Sequence, residues 1–492
     1  MGPVLAEPPR VQHPFEIPLD LPERGSRQRM AALHRQLRTA ILDGRLKPGL
    51  RLPATRELAE ALAVSRNTVV AAYDLLLGEG YIEARRGAGN FVADLAARRG
   101  DRQPRGTAAH DHRLAAYWRE LPGLPQPMQL GRFAYDFRLG IPDIRAFPYD
   151  IWRRLSARAL RQLAKAAPLY DVAQGRLALR QAIAQHISFA RAVACEADDI
   201  VVTSGAQQAF DLLARVLVTP GRTVVAVEDP GYPPLRAVFA AAGARVVGVP
   251  VDEEGLVVEQ LPQDADIVYV TPSHQFPLGV VMSPHRRVAL LAFARARKAL
   301  VIEDDYDGEF RYSSRPLDAL QTLDRDDSVC YVGTFSKCLF PTLRLGYAVL
   351  PSWLRTAFAQ AKHLVDWHGD VLAQDTLAAF IAEGHLVRHV RHMRKLYAER
   401  REVLLESLQR HGRGALKIYS SDAGLHLAVQ LDDAIDAATV LERALANGIN
   451  LEALSGYSKD DATMNGLAFG LGMIESARID AGVAQLMRLM DR

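Results

Sequence analysis

Residues 299–337 read ALVIEDDYDGEFRYSSRPLDALQTLDRDDSVCYVGTFSK. Two short apolar, β-branched runs lie in this stretch, ALVIE (299–303) and VCYVG (329–333), and polar residues follow each: DDYDGEF after the first, TFSK after the second. Working outward, the same unit recurs as IVVT (200–203), VVAV (224–227), RVVGVPV (245–251), IVYVT (267–271) and GYAVL (346–350), with helix-forming stretches between. Strands alternating with helices predict a mostly parallel sheet that binds ligands at the carboxyl ends of its strands. Those ends carry SGAQQ after IVVT, EDPGYP after VVAV and PSHQFPLG after IVYVT; Arg344 follows TFSK by seven residues.

A phosphorylated aromatic aldehyde needs this set of groups. Lys337 can form a Schiff base with an aldehyde. Asp304 can keep a pyridine nitrogen protonated, so that the ring acts as an electron sink. Tyr306 can donate to a ring hydroxyl, and Tyr232 can stack on the ring face. Ser204-Gly205-Ala206-Gln207 opens a helix whose free amides suit a phosphate. Arg344 adds a planar fork and Ser336 a hydroxyl. Pyridoxal 5'-phosphate requires this combination. A lone Ser-Lys pair carries nothing, and EDDYDGEF alone reads as an acidic loop; the order, each motif after its own strand, carries the argument.

The chain has 492 residues, 49% hydrophobic and 24% charged. That usage excludes a disordered, collagenous or disulfide-stapled chain, and the length suggests about three domains. Cys195, Cys330 and Cys338 are too scattered for a disulfide framework or a zinc site. His389 and His392 lie three apart with no third ligand evident, so no metal is expected. Cys338 reads as an inert buried thiol. No run approaches the ~18 apolar residues of a membrane span, and the opening residues lack a signal pattern, so a cytoplasmic chain is expected.

The net charge of +3 is uneven. Residues 26–93 hold 11 Lys+Arg against 6 Asp+Glu, a net of +5, which leaves −2 for the rest. A basic head on a faintly acidic body suggests a nucleic-acid-binding module. Met30, Leu33, Leu37 and Ile41 recur at helical spacing. A second helix is expected from Thr55, as its cap, and a third after Ser65, with Val69, Tyr73, Leu76 and Leu77 inward. YIEARRGAGNFVA then reads as strand, turn, strand, giving a winged helix-turn-helix. The first turn of its third helix, with Ser65, Arg66, Asn67 and Thr68, is placed to meet the major groove. Arg66 can fork to guanine, Asn67 can pair with adenine, and Thr68 can reach phosphate or a thymine methyl. Arg85, Arg86 and Gly87 at the wing tip, with Arg56, complete the surface expected to face double-stranded operator DNA.

Residues 33–92, LHRQLRTAILDGRLKPGLRLPATRELAEALAVSRNTVVAAYDLLLGEGYIEARRGAGNFV, resemble the GntR-type winged-helix regulators. Residues 136–492 resemble the fold-type-I aminotransferases. The latter resemblance implies that Lys337 is the Schiff-base lysine, Asp304 the pyridine partner, Tyr306 the phenol at the ring oxygen and Tyr232 the stacking ring. It also implies phosphate held by the amides of Ala206 and Gln207 with Ser336 and Arg344, and by Tyr170 from a partner subunit. A GntR-type head on an aminotransferase-like body resembles the MocR-type transcription regulators.

This implies a homodimeric DNA-binding regulator that senses pyridoxal 5'-phosphate or an amine effector. The alternative is a working aminotransferase with an accessory head. Two departures from true aminotransferases point to weak or half-reaction transamination at most. The usual Asn-Pro-x-Gly step is Phe276-Pro277-Leu278-Gly279, and MNGLAFGLGMIE lacks the arginine that grips a substrate carboxylate. Pro234 stands where the GABA-responsive branch has an arginine, which argues against GABA. The expected organisation is a head at 26–93, a linker at 94–135, a large cofactor-binding domain at 136–365 and a small α/β domain at 366–492. About 40 linker residues can span up to ~130 Å, with a short helix expected in DHRLAAYWREL. Leu386, Val390, Met393 and Tyr397 mark one apolar face of a helix over 385–410.

Overall fold

The computed structural model describes residues 19–22, 26, 28–94, 112–120, 133–167, 169–312, 318–412, 414, 416–419, 422–459 and 464–490. The chain divides into two compact units, residues 1–121 and 122–492. In the first, α1 (Arg29–Leu42), α2 (Thr55–Ala61) and α3 (Arg66–Gly78) precede the hairpin of β1 (Ile82–Arg85) and β2 (Gly89–Val92). Leu33, Leu37 and Ile41 from α1 meet Leu58, Val69, Tyr73, Leu76 and Ile82 in one core. The buried Tyr73 donates its hydroxyl to the Pro53 carbonyl at 3.1 Å, which satisfies its polar end. Ser65 caps α3 by accepting the Thr68 amide at 3.1 Å. Thr55 departs from expectation: it is the first residue of α2 and Ala54 is the cap position. The Glu57 carboxylate reaches back to the Ala54 amide at 3.0 Å, so the helix entry needs no hydroxyl. Of the linker, Ala116–Glu120 is helical; residues 95–111 and 121–132 lie outside the described residues.

The second unit is built on eight strands: β3 (Ile200–Thr203), β4 (Val224–Asp229), β5 (Arg245–Asp252), β6 (Gly255–Leu256), β7 (Ile267–Val270), β8 (Leu300–Asp305), β9 (Val329–Thr334) and β10 (Gly346–Val349). Their order is β3-β10-β9-β8-β7-β4-β5-β6. Pairing is parallel along β9-β8-β7-β4-β5, whereas β10 and β6 run against their neighbours. Val225, Val227, Ile267, Tyr269, Leu300 and Ile302 enter one core, and Ala226, Val268, Val270 and Val301 another. This two-residue alternation buries both faces of the central strands, which is why they read as unbroken apolar runs. The carboxyl ends of β3, β4, β7, β8 and β9 therefore open on one edge.

A second sheet, of β11 (Leu416–Ile418), β12 (His426–Leu431), β13 (Glu452–Ala453) and β14 (Gly466–Gly470), has the order β11-β12-β14-β13. The helix His385–His411 buries Leu386, Val390, Met393 and Tyr397 in the same core as Leu427, Phe469 and Ile479. Tyr135–Asp136 pairs with Ile449–Asn450, and Phe137 accepts the Gly470 amide at 2.7 Å. The segment that follows, 139–141, is thereby fixed beside the sheet's ligand edge. No helix among the described residues is long and apolar enough to cross a membrane.

Candidate functional site

The carboxyl edge of the large sheet opens into a cavity of about 480 Å³. Ala206, Gln207, Tyr232, Asp304, Tyr306, Ser336, Lys337 and Arg344 all line it. Tyr170 does not: it is exposed, and its ring packs on Trp367 with centroids 4.5 Å apart. Within this single chain Tyr170 has no route to the cavity, in keeping with a residue expected to act on a partner.

Strand alternation explains which of three successive acids serves the cavity. Glu303 accepts the amides of Leu320 and Gln321 at 2.7 and 2.9 Å. Asp305 is held by Arg191 and the Tyr331 hydroxyl, both at 2.6 Å. Asp304 faces the other way and takes the Tyr269 hydroxyl on Oδ2 at 2.7 Å, while its buried Oδ1 has no hydrogen-bond partner among the described residues. Burial pushes this carboxyl up to about 7. A buried acceptor without a donor is costly, and a protonated ring nitrogen would satisfy it.

Lys337 is buried, which lowers its ammonium below the usual range, with Asp307, Asp304 and Glu452 opposing the shift. Its Nζ donates to the Gly140 carbonyl at 2.7 Å. Gly140 has φ +72°, and a Cβ there would lie 2.6 Å from that nitrogen, so only glycine fits. At the opposite end, Arg344 donates to the Ser204 carbonyl at 2.8 Å. A side chain on Gly205, at φ +78°, would come within 3.0 Å of its guanidinium. The helix Ala206–Leu217 starts there, leaving its first amides open. Ser336 accepts a hydrogen bond from the Thr334 hydroxyl at 3.1 Å. Burial pushes the Tyr232 phenol up to about 12.

Several residues of the site have no individual role in the sequence reading. Tyr269 orients Asp304. The Tyr306 hydroxyl lies 2.9 Å from His274 Nδ1, which is itself 3.0 Å from Asp307. Phe276 packs edge-on between Tyr232 and Tyr306 at 5.8 Å from each, and Glu452 and Tyr457 close the wall. Tyr269 sits inside a run that reads as plain buried strand, and Glu452 lies about 115 residues from Lys337 in the chain, so neither has a local signal.

In the head, Arg56, Ser65, Arg66, Asn67, Arg85, Arg86 and Gly87 are exposed. Thr68 is the exception, half-buried with its hydroxyl 2.8 Å from Ser65 Oγ; its place in the cap draws it away from the surface. Arg85 lies over the Phe91 ring at 4.4 Å.

Residues 30–92 match the bacterial regulatory proteins of the gntR family, and residues 148–458 match the aminotransferase class I and II family. Over 456 residues the chain is 36% identical to a probable rhizopine catabolism regulatory protein MocR of Rhizobium meliloti, with 92% of each chain covered. The chain belongs to the MocR-type regulators. A further MocR-type relative is the HTH-type pyridoxine biosynthesis transcriptional regulator PdxR of Corynebacterium glutamicum, 34% identical with 95% of each chain covered. The body is similar to a kynurenine aminotransferase of Pyrococcus horikoshii (TM-score 0.68, 29% identity, 74% of this chain and 91% of that one). This MocR-type chain is thus a DNA-binding regulator with a fold-type-I body, whose cofactor is pyridoxal 5'-phosphate. The site fits that group: a bare Asp304 oxygen, a buried lysine, and open amides beside an arginine.

Proposed function

We propose that this regulator binds pyridoxal 5'-phosphate on Lys337 and couples occupancy of the cavity to operator binding by its head. The bare, buried Oδ1 of Asp304 in the cavity that also holds Lys337 carries this reading. When bound, the cofactor supplies an aldehyde for amines and an electron-accepting ring. In this reading Asp304 holds the ring nitrogen protonated, Tyr306 donates to the ring oxygen, and Tyr232 covers the ring. Ala206, Gln207, Ser336 and Arg344 bind the phosphate. The effector is the cofactor itself or an amine that competes with Lys337. Arg56, Ser65, Arg66, Asn67, Thr68, Arg85, Arg86 and Gly87 form the DNA surface, with Thr68 acting through the cap. Reconstitution followed by borohydride reduction tests the cofactor assignment: mass should be gained on the peptide carrying Lys337 and not by Lys337→Ala. Asp304→Asn should retain less cofactor on gel filtration. Gain of mass at another lysine contradicts the assignment.

The unit is also proposed to act as a homodimer in the cytoplasm. Leu169, Tyr170, Leu364 and Trp367 expose a broad apolar surface, larger than isolated surface side chains leave on monomers. Efficient transamination is the weaker reading, because β14, GLAFG, offers no cation to a substrate carboxylate.

A further inference from the structure

The identity of the amine is written into the wall opposite the phosphate end, and the argument rests on the reading of the body as a sensor. Among the described residues that line the cavity, the charged ones are Asp304, Lys337, Arg344 and Glu452. Asp304 and Arg344 are committed, to Tyr269 and to the Ser204 carbonyl. Glu452 remains for the distal end of a ligand. It pairs in register with Ala468 of β14, so the two side chains share a face and Ala468 brings no charge to it.

Glu452 Oε1 accepts the Leu139 amide at 3.1 Å, and Oε2 accepts the Tyr457 hydroxyl. A carboxylate has about four acceptor positions, so these two contacts leave room for another donor. The neighbouring Arg236 does not line the cavity; it donates to the carbonyls of Gly231 and Tyr457. Phe276 stands edge-on to Tyr457 at 5.1 Å. A carboxylate among aromatic rings suits an ammonium group and repels a carboxylate. Leu139 and Gly140 also set the reach. Glu452 holds the amide of the first, Lys337 the carbonyl of the second, and two residues span at most ~7 Å. The two polar ends of the site therefore match a short ligand.

We propose that the cavity selects short amines carrying a second ammonium group and no carboxylate, with Glu452 as the specificity-determining residue. Calorimetric titration of the cofactor-loaded full-length protein with 1,4-diaminobutane, 1-aminobutane and L-ornithine tests this. The diamine should bind at least about tenfold tighter than either other compound. Glu452→Gln, which keeps both wall contacts available, should bring the diamine and 1-aminobutane to within about threefold of each other. Equal or tighter binding of 1-aminobutane or L-ornithine by the unmodified protein overturns the proposal while the sensor reading stands. Binding of none of the three to loaded protein also overturns it. Failure of the cofactor to load on Lys337 would instead strike the functional reading beneath it.

Discussion

Glu303, Asp304 and Asp305 are chemically near-identical neighbours, yet only the middle one keeps an oxygen free for a ligand. Burial raises Asp304, Glu228 and Glu303 each to about 7. A carboxyl raised on folding contributes stability that is fully present below its unfolded pKa and lost as pH rises through the folded one. The cofactor-free protein should therefore melt at falling temperature between about pH 4 and pH 8, and Asp304→Asn should show a shallower fall. Calorimetry across that range checks this, and an unchanged slope in the variant would exclude ionisation of Asp304 in the window. The eight cavity-lining residues were legible because each follows a strand, and strand ends converge on one edge. Tyr269, His274 and Glu452 were not, because their roles come from contacts across strands or between distant segments. Thr68 and Ser65 compete for the same cap, which a pattern of exposed polar residues does not reveal.

At the scale of elements, the strand runs and the long helix were readable from periodicity alone, since burial of both sheet faces and of one helix face leaves different patterns. The entry to α2 was misread because Thr55 looks like a cap, whereas Glu57 does that work through its side chain. In α3 the cap is the hydroxyl of Ser65, and Ser65→Ala should cost the head about 1 kcal/mol in chemical denaturation. The recognition turn and the wing should separate in their effects on DNA. Arg66→Ala should lose roughly 1–3 kcal/mol of discrimination between cognate and altered operators. Arg85→Ala should weaken binding to all sequences and flatten the salt dependence by about one unit. Competition binding at several salt concentrations distinguishes them; uniform weakening by Arg66→Ala would refute the groove assignment.

For the whole molecule, two heads on a dimeric body would read paired half-sites. Sedimentation equilibrium of the loaded protein should give twice the chain mass of 54.2 kDa at micromolar concentration, and a monomer there would remove the basis for a shared site. A ligand moves the DNA-binding equilibrium only by its differential affinity for two arrangements, so coupling between cavity and head is the claim on which the rest depends. It is tested by operator footprinting of cofactor-free protein, of protein with pyridoxal 5'-phosphate, and of Lys337→Ala with the same cofactor. The cofactor should alter the affinity or footprint of the unmodified protein and leave that of Lys337→Ala as in the cofactor-free state. Identical binding and footprints in all three would contradict sensing through Lys337.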